Sequence, residues 1–473
     1  MGGFLGGCRL ARQGSCKLFT KIEHFLFRVN NHCIINYIMN IYISGITGTG
    51  LGPLALMAKR AGLNVWGTDL AKGAIYDELV EAGIEMRIGP QDGEFLKEKL
   101  AEGVDWFVYT SALKEDHAEL VMARAKGVKC TKRDDFTEFL VEKLRLKMVA
   151  VAGTHGKTTT TAMIVWGALK LGIPVSYIVG TTLGFASSGA YQENDKYFVY
   201  EADEYDRNFL RYHPWLAVIP SVSYDHPDIY PTRGDYLAAF EQFRLQSRKV
   251  LGDVGGNSAD KSWQSEFSPS DFNLAGEARR IDASLAASAI MEMVGDLSES
   301  KVGVDGSGHG GVRLSREELI KVLDEFPGVG RRFERIGDGV YSDYAHHPEE
   351  IVATLGVAKD EKDRLSKVGI VVVYQPHQNT RQHEVKDGYK KAFLGADKVF
   401  WLPTYLTREN ENLKVLMPED FVQLMENGQI AEPAELGNEL EKKLKEYLEK
   451  GYIVLLMTAG PADGWMREKF GRG

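Results

Sequence analysis

The sequence has few cysteines, and their placement excludes some classes of protein. Only four occur in 473 residues. Cys8, Cys16 and Cys33 crowd into the first segment, and Cys130 stands alone. This spacing fits neither a disulfide framework nor a metal-ligand motif. We therefore expect a reducing compartment, and the cytoplasm fits best.

The sequence also lacks an excess of positive charge and a long apolar run. The formal net charge is -9, so we expect neither a nucleic acid nor an acidic membrane surface as a partner. Residues 33–58 contain no Lys, Arg, Asp or Glu, but Gly, Asn, Ser and Thr are frequent there. A membrane span needs a nearly continuous apolar composition, so none is expected.

Residues 1–38 differ from the rest, because they are basic and show no clear periodicity. Met39 then precedes an apolar segment that is typical of the first buried strand of a domain. Our hypothesis is that residues 1–38 are a non-native extension or follow from an upstream start codon. A targeting peptide is the alternative, although no continuous apolar core with a small-residue cleavage site is visible.

The most informative stretch is residues 149–170, where an apolar run leads into Gly-Thr-His-Gly-Lys-Thr and a helix-like segment. Gly153 and Gly156 allow a tight turn that presents N–H groups to a phosphate. Lys157 can then reach the terminal phosphates, and the Thr158 hydroxyl can bind Mg²⁺. The general pattern has a glycine where Val151 stands, so this is a shortened phosphate loop. An ordinary strand-to-helix turn is the alternative.

A second glycine pattern opens the chain after residue 39. Gly45, Gly48 and Gly50 follow the first predicted strand, and a second strand ends at Asp69. This is the order of a nucleotide-binding pattern, which consists of a strand, glycines, a helix and a second strand that ends in an acid. The acid, here Asp69, can reach a ribose hydroxyl. A glycine-rich turn of any α/β domain is the alternative.

The alternation of strands and helices predicts an α/β protein with three domains, at 39–147, 148–329 and 330–473. The first and third are expected to be Rossmann-like, the third a doubly wound sheet, and the central one to be of the P-loop ATPase type. Beyond the two glycine-loop strands, strands are predicted at 65–67, 106–110, 128–130, 175–179, 197–200, 216–219, 369–374, 398–401 and 452–457.

Charged clusters follow several of these strands. The run 201–207 holds Glu201 and Asp203, and Asp225-His226 follows the strand at 216–219. Hard carboxylates beside a phosphate loop favour Mg²⁺ over zinc. In the third domain, basic and histidine-containing segments lie at 331–334, 342–348 and 374–381. A solvated charged turn and a structural histidine are the alternatives for these clusters.

As an ordered set, these motifs resemble the Mur ligase superfamily, and they are most similar to its members that join L-alanine to UDP-N-acetylmuramate. The resemblance covers nearly the whole chain after residue 38. It implies a UDP-sugar domain, a central ATPase domain and a C-terminal amino-acid-binding domain. It also implies ATP and Mg²⁺ as cofactors, UDP-N-acetylmuramate and L-alanine as substrates, an acyl-phosphate intermediate in peptidoglycan precursor synthesis, and a monomer or weak homodimer.

The resemblance also implies roles for individual residues. For ATP these are Gly153, Thr154, His155, Gly156, Lys157, Thr158, Thr159 and Arg331. For the UDP-sugar they are Gly45, Gly48, Gly50, Asp69 and Ser111. For the amino acid they are Tyr344, His346 and Arg381. For Mg²⁺ they are Thr158, Glu201 and His226, and the catalytic set is Lys157, Glu201, His226 and His346.

The chain departs from the family's pattern in ways that keep other interpretations open. Residues 276–282 replace a Gly-x-His-Asn-x-x-Asn segment near adenine, and Gln378 replaces an arginine of the amino-acid site. A ligase that joins a recycled murein tripeptide to the same sugar nucleotide is one alternative. A nucleotide-binding regulator without turnover is another, although the retention of Lys157, Thr158, Glu201 and His226 argues against it.

Overall fold

The computed structural model describes residues 38–110, 112–226, 229–252, 266–300, 314–407, 409–410 and 412–471. The compact unit begins at Met39. The predicted leader lies outside the described residues except for Ile38, and so do most of the polar segments after residues 252 and 300. Among the described residues, no helix combines the length and apolar character needed to cross a bilayer.

The first sheet is parallel, with strand order β3-β2-β1-β4-β5. Its strands are β1 (Asn40–Ser44), β2 (Asn64–Asp69), β3 (Glu85–Ile88), β4 (Trp106–Tyr109) and β5 (Lys129–Lys132). The helices are α1 (Gly52–Arg60), α2 (Tyr76–Glu81), α3 (Glu94–Glu102), α4 (Ala118–Ala125) and α5 (Arg133–Leu144). The edge strands β3 and β5 are partly exposed and polar. For this reason β3 was not predicted, and β5 extends two residues beyond the predicted strand at 128–130.

The central sheet has the order β11-β10-β6-β9-β7-β8 and is parallel except for β8. Its strands are β6 (Lys147–Val151), β7 (Val175–Ile178), β8 (Gly189–Ala190), β9 (Tyr197–Glu201), β10 (Leu216–Ile219) and β11 (Val250–Gly252). The helices are α6 (Lys157–Lys170), α7 (Arg233–Gln246), α8 (Glu277–Ser300) and α9 (Arg316–Asp324). Helix α6 is buried along most of its length and packs against α8.

The third sheet has the order β12-β13-β17-β14-β15-β16. Its strands are β12 (Glu334–Gly337), β13 (Val340–Asp343), β14 (Ile370–Gln375), β15 (Lys398–Trp401), β16 (Ala431–Pro433) and β17 (Ile453–Thr458). The helices are α10 (Pro348–Arg364), α11 (Asn379–Val385), α12 (Tyr389–Ala392), α13 (Pro418–Val422), α14 (Asn438–Glu449) and α15 (Ala462–Phe470).

One edge of the third sheet adds an antiparallel hairpin to the predicted doubly wound sheet. Strands β12 and β13 form an antiparallel hairpin, whereas the other pairs in this sheet are parallel. The hairpin turns through Asp338 and Gly339, and Gly339 has φ +70°. An Asp-Gly pair favours the tight turn that joins two antiparallel strands. This signal was present in the sequence but was not used.

Candidate active site

The phosphate loop connects β6 to α6 and is held against the loop that follows β10. The Thr154 and His155 N–H groups donate to the Ser221 carbonyl and hydroxyl oxygens at 3.0 and 2.9 Å. Gly156 has φ +84°, and an added Cβ would lie 2.6 Å from Asp282 Oδ1. A larger residue at this position would therefore meet both backbone strain and a steric clash.

Lys157 is held inside the loop by a buried carboxylate. Its Nζ donates to the Gly153 carbonyl at 2.5 Å and lies 2.9 Å from Glu204 Oε2. Burial lowers the pKa of Lys157, but the charges of Glu204, Asp203 and Glu201 outweigh it and the net shift is upward. The lysine is therefore charged and aimed at the place where the loop would bind phosphate. Glu204 was missed as a site residue, although it belongs to the acidic run at 201–207.

Thr158 and Glu201 form the second part of the site. The Thr158 hydroxyl donates to Glu201 Oε2 at 3.0 Å, and the Gly180 N–H donates to Glu201 Oε1 at 3.0 Å. A hydroxyl and a carboxylate side by side at a phosphate loop are hard oxygen donors of the kind that Mg²⁺ prefers. These residues fit the predicted metal, and the structure brings these two predicted ligands together.

His226 lies with Glu204 rather than with Glu201. Its Nε2 is 3.6 Å from both Glu204 Oε1 and Asp225 Oδ2, and its backbone has φ +58°. Burial lowers the pKa of His226, but the hydrogen bond to Glu204 and the charges of Asp225 and Glu204 make the net shift upward. In this conformation His226 extends the Lys157–Glu204 pair, and its role at Mg²⁺ stays a prediction.

The third domain supplies a cation to the loop, and it is not the predicted one. Arg332 Nη2 lies 3.4 Å from the Thr158 hydroxyl oxygen. Arg331, which was predicted to bind ATP, instead donates through Nη2 to the Thr458 carbonyl at 2.7 Å. Arg331 has φ +56°, and in such an irregular turn the spacing of residues does not reveal which side chain faces the neighbouring domain. Arg332 is therefore the arginine that reaches the phosphate loop in this structure, and the ATP-binding role of Arg331 stays a prediction.

A second contact joins the phosphate loop to the start of α10. His155 Nε2 lies 3.4 Å from Glu349 Oε2, and His155 Nδ1 lies 3.3 Å from Glu350 Oε1. Burial lowers the pKa of His155, but hydrogen bonds to the two glutamates raise it to about 9. Glu350 also accepts the N–H groups of His346 and His347. Neither glutamate was predicted, and together they tie the loop to the third domain.

The three predicted amino-acid-binding residues lie on the third domain, and Arg381 faces the central one. Arg381 Nε is 4.0 Å from Asp225 Oδ1, and its side chain is only 13% exposed. His346 Nδ1 lies 3.0 Å from the Tyr344 carbonyl oxygen, and burial lowers the pKa of His346. The Tyr344 ring stacks with the guanidinium of Arg332 at 5.3 Å. These groups form the acceptor side of the candidate site.

In the first domain, the Asp69 carboxylate at the end of β2 is bonded to the loop that follows β1. Its carboxylate accepts the Thr47 N–H at 2.9 Å, the Thr47 hydroxyl at 2.8 Å and the Leu70 N–H at 2.8 Å. These hydrogen bonds shape the loop after β1, and the assignment of Asp69 to a ribose hydroxyl stays a prediction.

The glycines of this loop allow close approach. Gly45 has φ +88°, Gly48 accepts the Gly52 N–H, and an added Cβ at Gly50 would lie 3.0 Å from Arg133 Nη1. Ser111 lies outside the described residues. The Gly45 N–H donates to the Thr68 carbonyl, and the role of the three glycines in UDP-sugar binding stays a prediction.

Comparisons with known proteins agree with this arrangement. Residues 40–144 match the Mur ligase family catalytic domain, and residues 151–267 match the Mur ligase middle domain. The UDP-N-acetylmuramate--L-alanine ligase of Clostridium tetani is 28% identical over 90% of this chain and 96% of its own length. The corresponding ligase of Symbiobacterium thermophilum is 32% identical over 76% of this chain and 78% of its own.

Solved structures share the fold. The UDP-N-acetylmuramate-alanine ligase of Thermotoga maritima superposes with a TM-score of 0.68 at 21% identity, covering 91% of this chain and 98% of its own. A murein peptide ligase of Psychrobacter arcticus gives 0.57 at 23% identity with the same coverage. These likenesses confirm the predicted three-domain α/β fold, and the sequence relatives carry the assignment further. The chain belongs to the Mur ligase family.

Proposed function

We propose that the protein joins L-alanine to UDP-N-acetylmuramate in peptidoglycan precursor synthesis. ATP is converted to ADP and phosphate, and the product is UDP-N-acetylmuramoyl-L-alanine. The relatives in the comparison carry this activity in their names. The observation that carries the proposal in the structure is the placement of Arg332 and Arg381 of the third domain against Thr158 and Asp225 of the central domain.

The first step is attack of the muramate carboxylate on the γ-phosphoryl group, which yields an acyl phosphate and ADP. Phosphoryl transfer depends mainly on positioning and on stabilisation of negative charge. Lys157 and the loop N–H groups supply fixed positive charge, and Arg332 adds a second cation beside Thr158. Mg²⁺, when bound by Thr158 and Glu201, neutralises charge on the nucleotide phosphates.

The second step is attack of the alanine amine on the acyl phosphate, which releases phosphate. The amine must first lose a proton, and we assign His346 as the group that accepts it. Because the Tyr344 carbonyl can only accept a hydrogen bond, His346 Nδ1 carries the proton and Nε2 remains free as the base. Burial lowers the pKa of His346, which keeps it neutral near pH 7. Arg381 can hold the alanine carboxylate.

The enclosure of Arg381 favours a small acceptor over the recycled tripeptide. Its side chain is only 13% exposed and lies against Asp225 of the neighbouring domain. A tripeptide would need an open path to this arginine. The regulator alternative is weaker, because Lys157, Thr158 and Glu201 are present and correctly grouped.

The test is phosphate release from ATP and Mg²⁺ in the presence of UDP-N-acetylmuramate. L-alanine, glycine, L-serine and the L-alanyl-γ-D-glutamyl-diaminopimelate tripeptide are added in turn. We expect turnover with L-alanine, which would also show that Gln378 is tolerated. A response to the tripeptide alone would assign the protein to recycling instead.

A further inference from the structure

A cavity of about 350 Å³ lies beside the phosphate loop, between the central and third domains. Gly156 and Thr159 line one side, and Thr354 and Val357 of α10 line the other. A nucleotide whose phosphates lie on the loop would place its base within reach of this space. The volume is ample for one purine ring system, and residues of α10 complete the enclosure.

Two arginines line this cavity, Arg332 from the third domain and Arg279 from the first turn of α8. Within the described part of the chain, the Arg279 guanidinium makes neither a hydrogen bond nor an ion pair. Burial lowers the pKa of Arg279, whereas the charges of Asp282, Asp343 and Glu361 raise it. A guanidinium stays charged in proteins, so Arg279 presents its N–H donors to whatever occupies the cavity.

The neighbouring arginine shows that this is not a general property of the helix. Arg280 Nη1 donates to the Leu274 carbonyl at 2.9 Å and lies 3.6 Å from Asp360 Oδ2. Arg280 is therefore used to hold the start of α8 in place. Arg279, one residue earlier, is left for a ligand.

Asp282, the acidic residue of α8 that also lines the cavity, already has a hydrogen-bond partner. Asp282 Oδ1 accepts the Thr160 hydroxyl at 2.9 Å and packs directly on Gly156. Asp282 thus supports the underside of the phosphate loop. Of the two charged groups that α8 contributes to the cavity wall, Arg279 is the one with unused hydrogen-bonding capacity.

The chemistry of an arginine distinguishes one purine from another. A guanidinium offers only donors, whereas an amide side chain offers both a donor and an acceptor. Guanine presents two adjacent acceptors, O6 and N7, which match the arginine fork, and adenine presents N7 beside the donor N6. An arginine facing the base therefore favours a 6-oxopurine.

We propose that Arg279 recognises the base of the nucleotide and that the cavity accepts 6-oxopurines. GTP and ITP therefore serve as substrates of the ligase at least as well as ATP. The inference rests on the proposed function, because it names the nucleotide class of the same reaction. ATP remains a substrate, held by the same phosphate loop with a poorer match at the base.

The experiment compares kcat/KM for ATP, GTP, ITP and 7-deaza-GTP in L-alanine-dependent phosphate release. We expect a GTP:ATP ratio of one or more. ITP should equal GTP, because it keeps O6 and N7. 7-Deaza-GTP should be about tenfold poorer than GTP, because it lacks the N7 acceptor. A GTP:ATP ratio below one would overturn the proposal.

Variants separate base recognition from a structural role. Arg279→Ala should lower the GTP:ATP ratio about tenfold, and Arg279→Lys, which keeps the charge but loses the fork, should also lower it. Arg280→Ala is the matched control and should leave the ratio unchanged. Equal loss with both nucleotides in Arg279→Ala would show that the arginine does not discriminate between the bases.

A binding competition keeps this test independent of turnover and of variant folding. GDP and ADP compete for the wild-type protein against a fluorescent ADP analogue. Displacement by GDP at an equal or lower concentration than ADP supports the proposal, and a requirement for tenfold more GDP contradicts it. Absence of turnover with every nucleotide would contradict the proposed ligase function, and the competition would still decide the base preference.

Discussion

The two glycine loops of this chain follow the same sequence pattern but are used differently. The loop after β1 is held within the first domain, because Asp69 at the end of β2 accepts three hydrogen bonds from Thr47 and Leu70. The loop after β6 contacts residues from other parts of the chain. Lys157 pairs with Glu204 after β9, and His155 contacts Glu349 of the third domain.

We interpret this difference as a division of roles, with substrate binding at the loop after β1 and phosphoryl transfer at the loop after β6. The loop after β1 is held by residues of its own domain, so it can bind a ligand without the other domains. The loop after β6 contacts residues outside it, including one in the third domain, so its geometry depends on how that domain docks. Strand-glycine-helix spacing predicts both loops but does not distinguish them. The distinction lies in side chains that are distant in sequence, and the following predictions test it.

The largest effect is expected at the lysine of the central loop. Lys157→Ala should lower turnover by about a thousandfold, because it removes a fixed charge from the transferring phosphoryl group. UDP-N-acetylmuramate binding should stay nearly unchanged, since the first-domain loop holds it. Phosphate release and calorimetric binding measure the two effects. Lys170→Ala, on the exposed end of the same helix, is the control, and equal loss of both properties would refute the division.

The next effect concerns the carboxylate that holds Lys157. Glu204→Gln should lower the free energy of unfolding by about 3 kcal/mol, because it leaves a buried lysine charge without its partner. Urea denaturation measures this change. The double variant Glu204→Gln with Lys157→Met should recover part of the loss, since no unpaired charge remains. A Glu204→Gln protein as stable as the wild type would show that the pair is not formed in solution.

A smaller effect is expected from pH on the contact between His155 and α10. The pKa of His155 is raised from its usual 6.5 to about 9, so its contribution is fully present below pH 6.5 and is lost as the pH rises through 9. We expect a loss of about 1–2 kcal/mol, limited by the solvent exposure of Glu349. Urea denaturation at pH 6 and 9.5 measures it. Glu349→Gln should reduce this pH dependence, and an unchanged profile would count against the contact.

The smallest effect is expected at Asp69, which holds the loop after β1. Asp69→Asn should lower the free energy of unfolding by about 1 kcal/mol, because it weakens the hydrogen bonds from Thr47 and Leu70. Affinity for UDP-N-acetylmuramate should fall only a few-fold. Loss of more than tenfold in affinity with unchanged stability would restore Asp69 as a direct ligand of the ribose. Calorimetry and urea denaturation distinguish these outcomes.

The sequence predicted the strands whose apolar runs are nearly continuous, as in β6 and β14. It missed β13, which is buried along its whole length although its sequence is Val-Tyr-Ser-Asp. It also missed β3 and displaced β5, because edge strands are polar and half-exposed. The Asp338-Gly339 hairpin was also missed, although its turn signal is local. Fold prediction thus succeeded where a strand is both buried and continuously apolar.

The site was predicted less completely than the fold. Lys157, Thr158 and Glu201 follow strand ends, where parallel sheets place such groups, and the structure brings them together. The choice between Arg331 and Arg332 depends on an irregular turn with positive φ, which spacing does not encode. Glu349 reaches the loop only through the docking of a separate domain.

The most direct test of the account follows the oxygen atoms of the muramate carboxylate. UDP-N-acetylmuramate labelled with ¹⁸O in that carboxylate is incubated with L-alanine, ATP and Mg²⁺, and the released phosphate is examined by mass spectrometry. We predict one ¹⁸O atom in each phosphate, because an acyl phosphate transfers that oxygen when the amine attacks. Unlabelled phosphate formed together with the alanine-containing product would contradict the mechanism.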